Sequence, residues 1–310
     1  MTERKLLQFG AKATKATSAK EWADIARRAE ALGYYSLQID DHFGSQLAPI
    51  PALAAAAAAT SSLRVGTLVA GNDFRNPVML AKEAATLDLL SDGRFILGLG
   101  AGWLNTDYAI AGIEQANAAV RIARLAETIK ICRGMWSAEP FHHSGEHYRV
   151  AEVTGYPKPA ASIPILVGGG GQHLLSLAAR QADIVGVNPK IVARSINPRS
   201  MATAAADVVD QKLAWIREAA GDRFDQLQLQ LQVFVTVVTD DPMPVAEKLA
   251  PAFGLPPEVI LSAPYFQIGS VEQIADNMQE LRDRWGITYI AFQQDATEAV
   301  APVVSRLAGT

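Results

Sequence analysis

Short apolar runs recur along this chain, and each is followed by a stretch whose apolar positions have helical spacing, a pattern that calls for parallel strands covered by helices. "KLLQFGA" precedes "SAKEWADIARRAEALG", where Ser18 stands as a cap, Glu21 follows it as in a capping box, and Gly33 closes the helix. The unit returns as "YSLQI", reaching Asp40, ahead of an alanine-rich helix that starts near residue 50. It returns again as "LRVGTLVAG" before a helix from Pro77 to Leu90, and as "RFILGLGAG" before a long helix across Ile113 to Trp136. "SAEPFHHSGEHYRVAEVTGYPKPAASI" interrupts the alternation with Gly, Pro, His and aromatic residues and reads as an inserted hairpin. "IPILVGG" and "QHLLSLAARQA" resume it, then "DIVGV", an irregular loop from Asn188 to Ser200, and the helix "MATAAADVVDQKLAWIREAAG". "LQLQLQVFVTVV" is the seventh strand, helical stretches fill 242 to 285, and "ITYIAFQ" with "TEAVAPVVSRLA" completes the eighth unit.

Eight such units in 310 residues predict an α/β fold of the closed (β/α)8 barrel type, a single domain over 1–310 with insertions at about 138–161 and 188–200. The competing architecture is an open doubly wound sheet with its ligand at a switch point. The bulk composition narrows function more than fold. With 49% hydrophobic residues, a formal net charge of -4 and no Lys/Arg-rich run, the chain offers no electrostatic footprint for nucleic acid or an anionic membrane. No stretch stays apolar for the ~20 residues a membrane span needs. Cys132, the single cysteine, cannot form an intrachain disulfide and reads as core, so a cytoplasmic location is expected.

A barrel of this kind places its chemistry at the C-terminal ends of its strands. Strand two ends in "IDDHFG", bringing Asp40, Asp41 and His42 to the mouth as metal ligands, proton-transfer groups or hydrogen-bonding partners of a heterocycle; the structural alternative is a capping Asp41 and a packing His42. Strand three ends in "VAGNDFRNP", where Ala70 and Gly71 let a flat ring approach the backbone and Asn72, Phe74 and Arg75 supply an amide, an aromatic face and a cation. Strand four ends in "GLGAGWLN": Gly98, Gly100, Ala101 and Gly102 keep the mouth open, Trp103 is a wall and Asn105 a polar contact. Strand five ends in Gly168, Gly169, Gly170 and Gly171 directly before a helix, an arrangement that makes an anion pocket from unpaired N–H groups.

The segments "LGYYSLQIDDHF", "LRVGTLVAGNDFRNPVMLAKEAATLDLLSDGRFILGLGAGW", "HYRV", "IPILVGGGG" and "IGSVEQIADNM" resemble the bacterial luciferase-like flavin and deazaflavin oxidoreductases, especially the branch using coenzyme F420. The resemblance runs over nearly the whole chain. It implies a (β/α)8 barrel with an insertion after strand five or six, a homodimer, and a tricyclic cofactor at the mouth bordered by Asp41 and His42. It also implies a non-prolyl cis peptide at Gly71-Asn72 or Ala70-Gly71 pressing on the ring, and a cofactor phosphate on Gly168 to Gly171. Two departures matter: the family's glucose-6-phosphate dehydrogenases carry a carboxylate where this chain has Trp103, and bacterial luciferase has a cysteine near Gly100 and a histidine at the position of Asp41. Sugar-phosphate chemistry and light emission are therefore not expected.

The expected activity is hydride transfer between coenzyme F420 and an unidentified small organic substrate, with His42 as the proton-transfer residue because an imidazole can give or take a proton near neutral pH. Phe43, Phe74 and Trp103 would form the substrate pocket, and Arg75 or a loop residue such as Arg194 or Arg199 would meet an acidic group, the two loop arginines reading otherwise as solvated surface residues. FMN with an oxygen-dependent monooxygenase activity is the cofactor alternative. Outside this class stand a metal-dependent barrel hydrolase using Asp40, Asp41 and His42 or the "HHSGEH" histidines, and a barrel that binds a cofactor without turnover. Valines at Gly169 and Gly170 together are expected to leave the fold intact and abolish cofactor binding.

Overall fold

The computed structural model describes residues 5–193 and 197–310. In chain order, β1 (Gln8–Lys12) leads to α1 (Ala19–Ala31), β2 (Ser36–Ile39) to α2 (Pro49–Ala59), and the split strand β3 (Arg64–Thr67) and β4 (Ala70–Gly71) to α3 (Pro77–Leu90). Next come β5 (Phe95–Gly100), α4 (Asn105–Ala111), α5 (Ala118–Trp136), the hairpin β6 (Phe141–Ser144) and β7 (Arg149–Val153), then β8 (Ile165–Gly169) and α6 (Gln172–Gln181). β9 (Ile184–Val187) is followed by α7 (Pro198–Met201) and α8 (Ala206–Ala220), and β10 (Gln228–Gln232) by β11 (Val235–Val238), α9 (Pro242–Phe253), α10 (Pro257–Ser262), β12 (Phe266–Gly269) and α11 (Val271–Trp285). β13 (Ile287–Gln293) and α12 (Ala301–Leu307) end the chain.

The main sheet runs β3-β2-β1-β13-β10-β9-β8-β5-β4, all parallel, and β3 also pairs with β5, so the sheet closes on itself as an eight-stranded barrel whose third strand is β3 plus β4. Helix boundaries follow local signals. Ser18 accepts the Glu21 N–H at 3.1 Å, Asn76 caps α3 with Pro77 at its first position, and Ser270 with Gln273 forms a capping box on α11. Glu21, however, reaches Thr17 rather than Ser18.

Four local expectations change. The helix across Ile113 to Trp136 is two helices, because Gly112 takes a left-handed conformation that ends α4 and Asn117 caps α5 afresh. "LQLQLQVFVTVV" is also two strands. β10 belongs to the barrel, whereas β11 leaves it to pair with β12, a strand inside the region expected to be helical throughout. The alternating leucines of β10 face the outer core, and the glutamines point inward: Gln230 is fully buried, and Gln228 donates to Gln8 Oε1 at 2.7 Å. In the fourth case the non-prolyl cis peptide is at Leu68–Val69, where β3 gives way to β4, upstream of both steps that the resemblance pointed to.

Candidate active site

At the end of β2 three consecutive ionisable residues take three separate partners. Asp40 Oδ2 lies 2.9 Å from Lys12 Nζ, the last residue of β1. Asp41 accepts the Gly71 N–H at 2.9 Å and both terminal nitrogens of Arg75, so it pins the end of strand three. His42 Nδ1 lies 2.6 Å from Asp107 Oδ2, and Asp107 Oδ1 accepts the Phe43 N–H at 3.2 Å. Asp107 sits in the first turn of α4 with its side chain only 6% exposed, beside the helix N-terminus, where a carboxylate is favoured. An ionised carboxylate can only accept, so the imidazole presents its proton at Nδ1 to Asp107, and Nε2 is the nitrogen left for proton exchange. Among the described residues no group of three or more His, Cys, Asp or Glu is placed to hold a metal ion. His143 of the hairpin contacts Glu127, which also accepts the Glu146, His147 and Tyr148 N–H groups.

Aromatic residues wall this end of the barrel. Trp103 meets His42 edge-on at 5.7 Å, Phe43 packs on Phe74 at 4.9 Å, and Phe74 on Tyr108 at 5.1 Å. Phe43 is exposed, whereas Trp103 and Phe74 are half-buried. Asp73 accepts from Tyr108 at 3.2 Å and from Arg124 at 3.3 Å, and burial first, then Asp73, pushes the Tyr108 phenol up to about 12. From α5, Arg121 donates to the carbonyls of Ala101 and Gly102, fixing the turn that carries Trp103. Asn105, the first residue of α4, points to solvent. Ala70, Gly71 and Asn72 are buried, and Asn72 Oδ1 has no partner.

The strand-four glycines, expected to keep the mouth open, make room for the protein's own groups. A side chain at Gly98 would run into the Thr67 carbonyl, and one at Gly100 would come within 2.7 Å of Val69, whose methyls occupy the space above β5 and reach toward Gly168. The strand-five turn divides differently. A Cβ at Gly169 would lie 2.6 Å from Leu174, and one at Gly170 would overlap the backbone of Asn188 and Pro189. At Gly171, the residue capping α6, the nearest atom is Lys190 Cε at 3.9 Å. Two of these glycines therefore answer to the protein's own packing, so the paired valine substitution at 169 and 170 would disturb the fold it was expected to spare.

Of the arginines expected to meet an acidic group, Arg75 is held by Asp41, Arg199 is exposed on α7, and Arg194 lies outside the described residues. Sequence reasoning passed over Asp107, Arg121 and Lys190; the acidic residue in the first turn of a helix just beyond a strand end was the one available signal, for Asp107. A cavity of about 610 Å³ lies away from these groups, between α1 and the turn around Gln294 and Glu298, and is lined by none of the candidate catalytic, cofactor or substrate residues named from sequence.

Residues 6–285 match the family model described as luciferase-like monooxygenase. The chain is 32% identical over 187 residues to an F420-dependent glucose-6-phosphate dehydrogenase of Amycolatopsis mediterranei (strain U-32), covering 57% of this chain and 56% of that one. To a protein of the same name from Nakamurella multipartita it is 32% identical over 244 residues, covering 76% and 69%. The matched stretch thus spans little more than half the length of the first of these relatives. Among solved structures, an F420-dependent secondary alcohol dehydrogenase in complex with an F420-acetone adduct superposes with a TM-score of 0.77 at 19% identity, covering 97% of this chain and 99% of that one. The match across most of the chain, on the same closed barrel, makes this protein a member of the luciferase-like monooxygenase family.

Proposed function

We propose that the chain is a coenzyme F420-dependent oxidoreductase, acting as one barrel domain that moves a hydride between the deazaflavin and a small organic substrate at the mouth. The observation that carries this reading is the His42–Asp107 pair, an imidazole oriented by a buried carboxylate at the C-terminal end of a barrel strand. The site also fits the cofactor. Gly171 leaves room at the start of α6 beside Lys190, which suits a phosphate, and the buried acceptors Asn72 Oδ1, Asn188 Oδ1 and Asp40 Oδ1 lack donors that a heterocycle or substrate hydroxyl would provide. Names borne by the relatives point the same way.

A bound deazaflavin supplies a ring carbon that gives or accepts a hydride. His42 Nε2 takes the proton of a substrate hydroxyl as the hydride leaves, or returns one to the oxygen in the reverse direction, and Asp107 steadies the imidazolium between the two. Trp103, Phe43 and Phe74 exclude water and offer an apolar face. Gly168 to Gly171 and Lys190 would hold the phosphate, while Asp41, through Gly71 and Arg75, keeps the end of strand three in place.

The proposal includes a homodimer and a cytoplasmic location. For the dimer, α3 leaves Met79, Leu89 and Leu90 exposed next to α2, which carries no charged residue on any face; a monomer by light scattering would remove that part. For the location, the support is the free, buried Cys132. Fluorescence titration with F420 and with FMN in parallel tests the whole. Saturable binding of the deazaflavin in preference to FMN is expected; preference for FMN would replace hydride exchange with oxygen-dependent chemistry, and binding of neither would refute the assignment.

A further inference from the structure

Lys212 lies on the inner face of α8 and is only 1% exposed. Its ammonium donates to two main-chain oxygens, Asn188 O at 2.9 Å and Thr203 O at 2.7 Å, and lies 5.8 Å from the centre of the Tyr265 ring. With carbonyls rather than a carboxylate as partners, burial pushes the amine down to about 7. Such a group weakens a fold relative to an apolar side chain of the same length, so its presence calls for another explanation.

The two carbonyls are the two ends of the connection between β9 and α8, and the first end rests on the glycine turn. Asn188 N–H donates to Gly169 O at 2.9 Å, and the Asn188 and Pro189 backbone fills the space above Gly170. Lys190 follows at once; its N–H donates to Thr203 Oγ1 at 2.7 Å, and its side chain is the nearest group to Gly171. A single buried amine thus joins Asn188 to Thr203, and Thr203 in turn holds Lys190.

We infer that Lys212 is a positioning residue for the cofactor's phosphate: it clamps both ends of this connection so that Asn188 and Lys190 lie against the glycine turn. The inference rests on the proposed binding of F420 with its phosphate at Gly168 to Gly171. Lys212 touches neither cofactor nor substrate, and its influence passes through Asn188, Thr203 and Lys190 alone.

The test compares wild type with Lys212→Met by fluorescence titration against two ligands, F420 itself and the deazaflavin core lacking the phosphate-bearing tail. Methionine keeps the length and apolar volume, so the variant is expected to fold. F420 should bind at least about fivefold more weakly, as two hydrogen bonds ordering the loop are lost, while affinity for the core stays within about twofold. Equal losses for the two ligands, or no loss for F420, would overturn the clamp. Thr203→Val, which removes the acceptor for the Lys190 N–H and leaves Lys212 in place, gives the check should methionine not be tolerated: it should show the same selectivity at smaller size, and an unchanged F420 affinity would count against the inference. A wild type that binds F420 no better than the core would instead remove the phosphate reading on which the inference stands.

Discussion

The ends of β5 and β8 look alike as sequence, each a run of glycines leading toward a helix, yet the barrel uses them in opposite ways. Above β5 the missing side chains make room for the protein itself: Thr67 and Val69 from the neighbouring strand close on Gly98 and Gly100, and the chain then runs into α4, which delivers Asp107 to His42. Above β8 the internal contacts stop at Gly170, and Gly171 remains open at the N-terminus of α6. One glycine run is taken up by packing and builds a wall that holds the His42–Asp107 pair. The other ends in free space with N–H groups that have no intrahelical partner, where an anion can sit.

The sharpest way to break this contrast is at Gly98. Its Cβ would overlap the backbone carbonyl of Thr67, which cannot rotate away, so Gly98→Ala should lower unfolding free energy by about 3 kcal/mol or more in a denaturant titration. Wild-type stability in that variant would mean the closeness of β3 and β5 has been misread.

Asp107→Asn probes the wall that follows. An amide can donate to Nδ1 and favour the wrong tautomer, so turnover should fall on the order of a hundredfold or more while F420 affinity changes by less than about threefold. His42→Ala should match it in direction, and equal losses of affinity and turnover in either variant would make the pair a cofactor-binding device.

Gly171→Val tests the open side and carries the smallest expected effect. The fold has room for it, so the unfolding midpoint should hold, while F420 affinity drops about tenfold, or ~1.4 kcal/mol. If affinity survives, the phosphate lies elsewhere.

The barrel and its helix ends were legible because they depend on near neighbours in the chain. Ser18 is within reach of the Glu21 N–H, Asn76 and Pro77 start α3, and apolar spacing separates strand from helix. The failures also have local causes. β12 is a four-residue strand, Phe266–Gly269, too short to show a period between helices, and the apolar pattern of "LQLQLQVFVTVV" runs on without a turn residue where β10 gives way to β11.

By itself, then, the sequence determined the alternation, the strand ends, and the positions that bear no side chain. Tertiary closure alone decided what meets there: Asp107 reaching His42 from a different strand end, Val69 rather than a ligand over Gly100, and Lys212 under Asn188. The physical reason is range. Backbone conformation is set by residues a few positions apart, whereas the partner of a buried charge or the occupant of a gap is chosen among groups that only the closed barrel brings together.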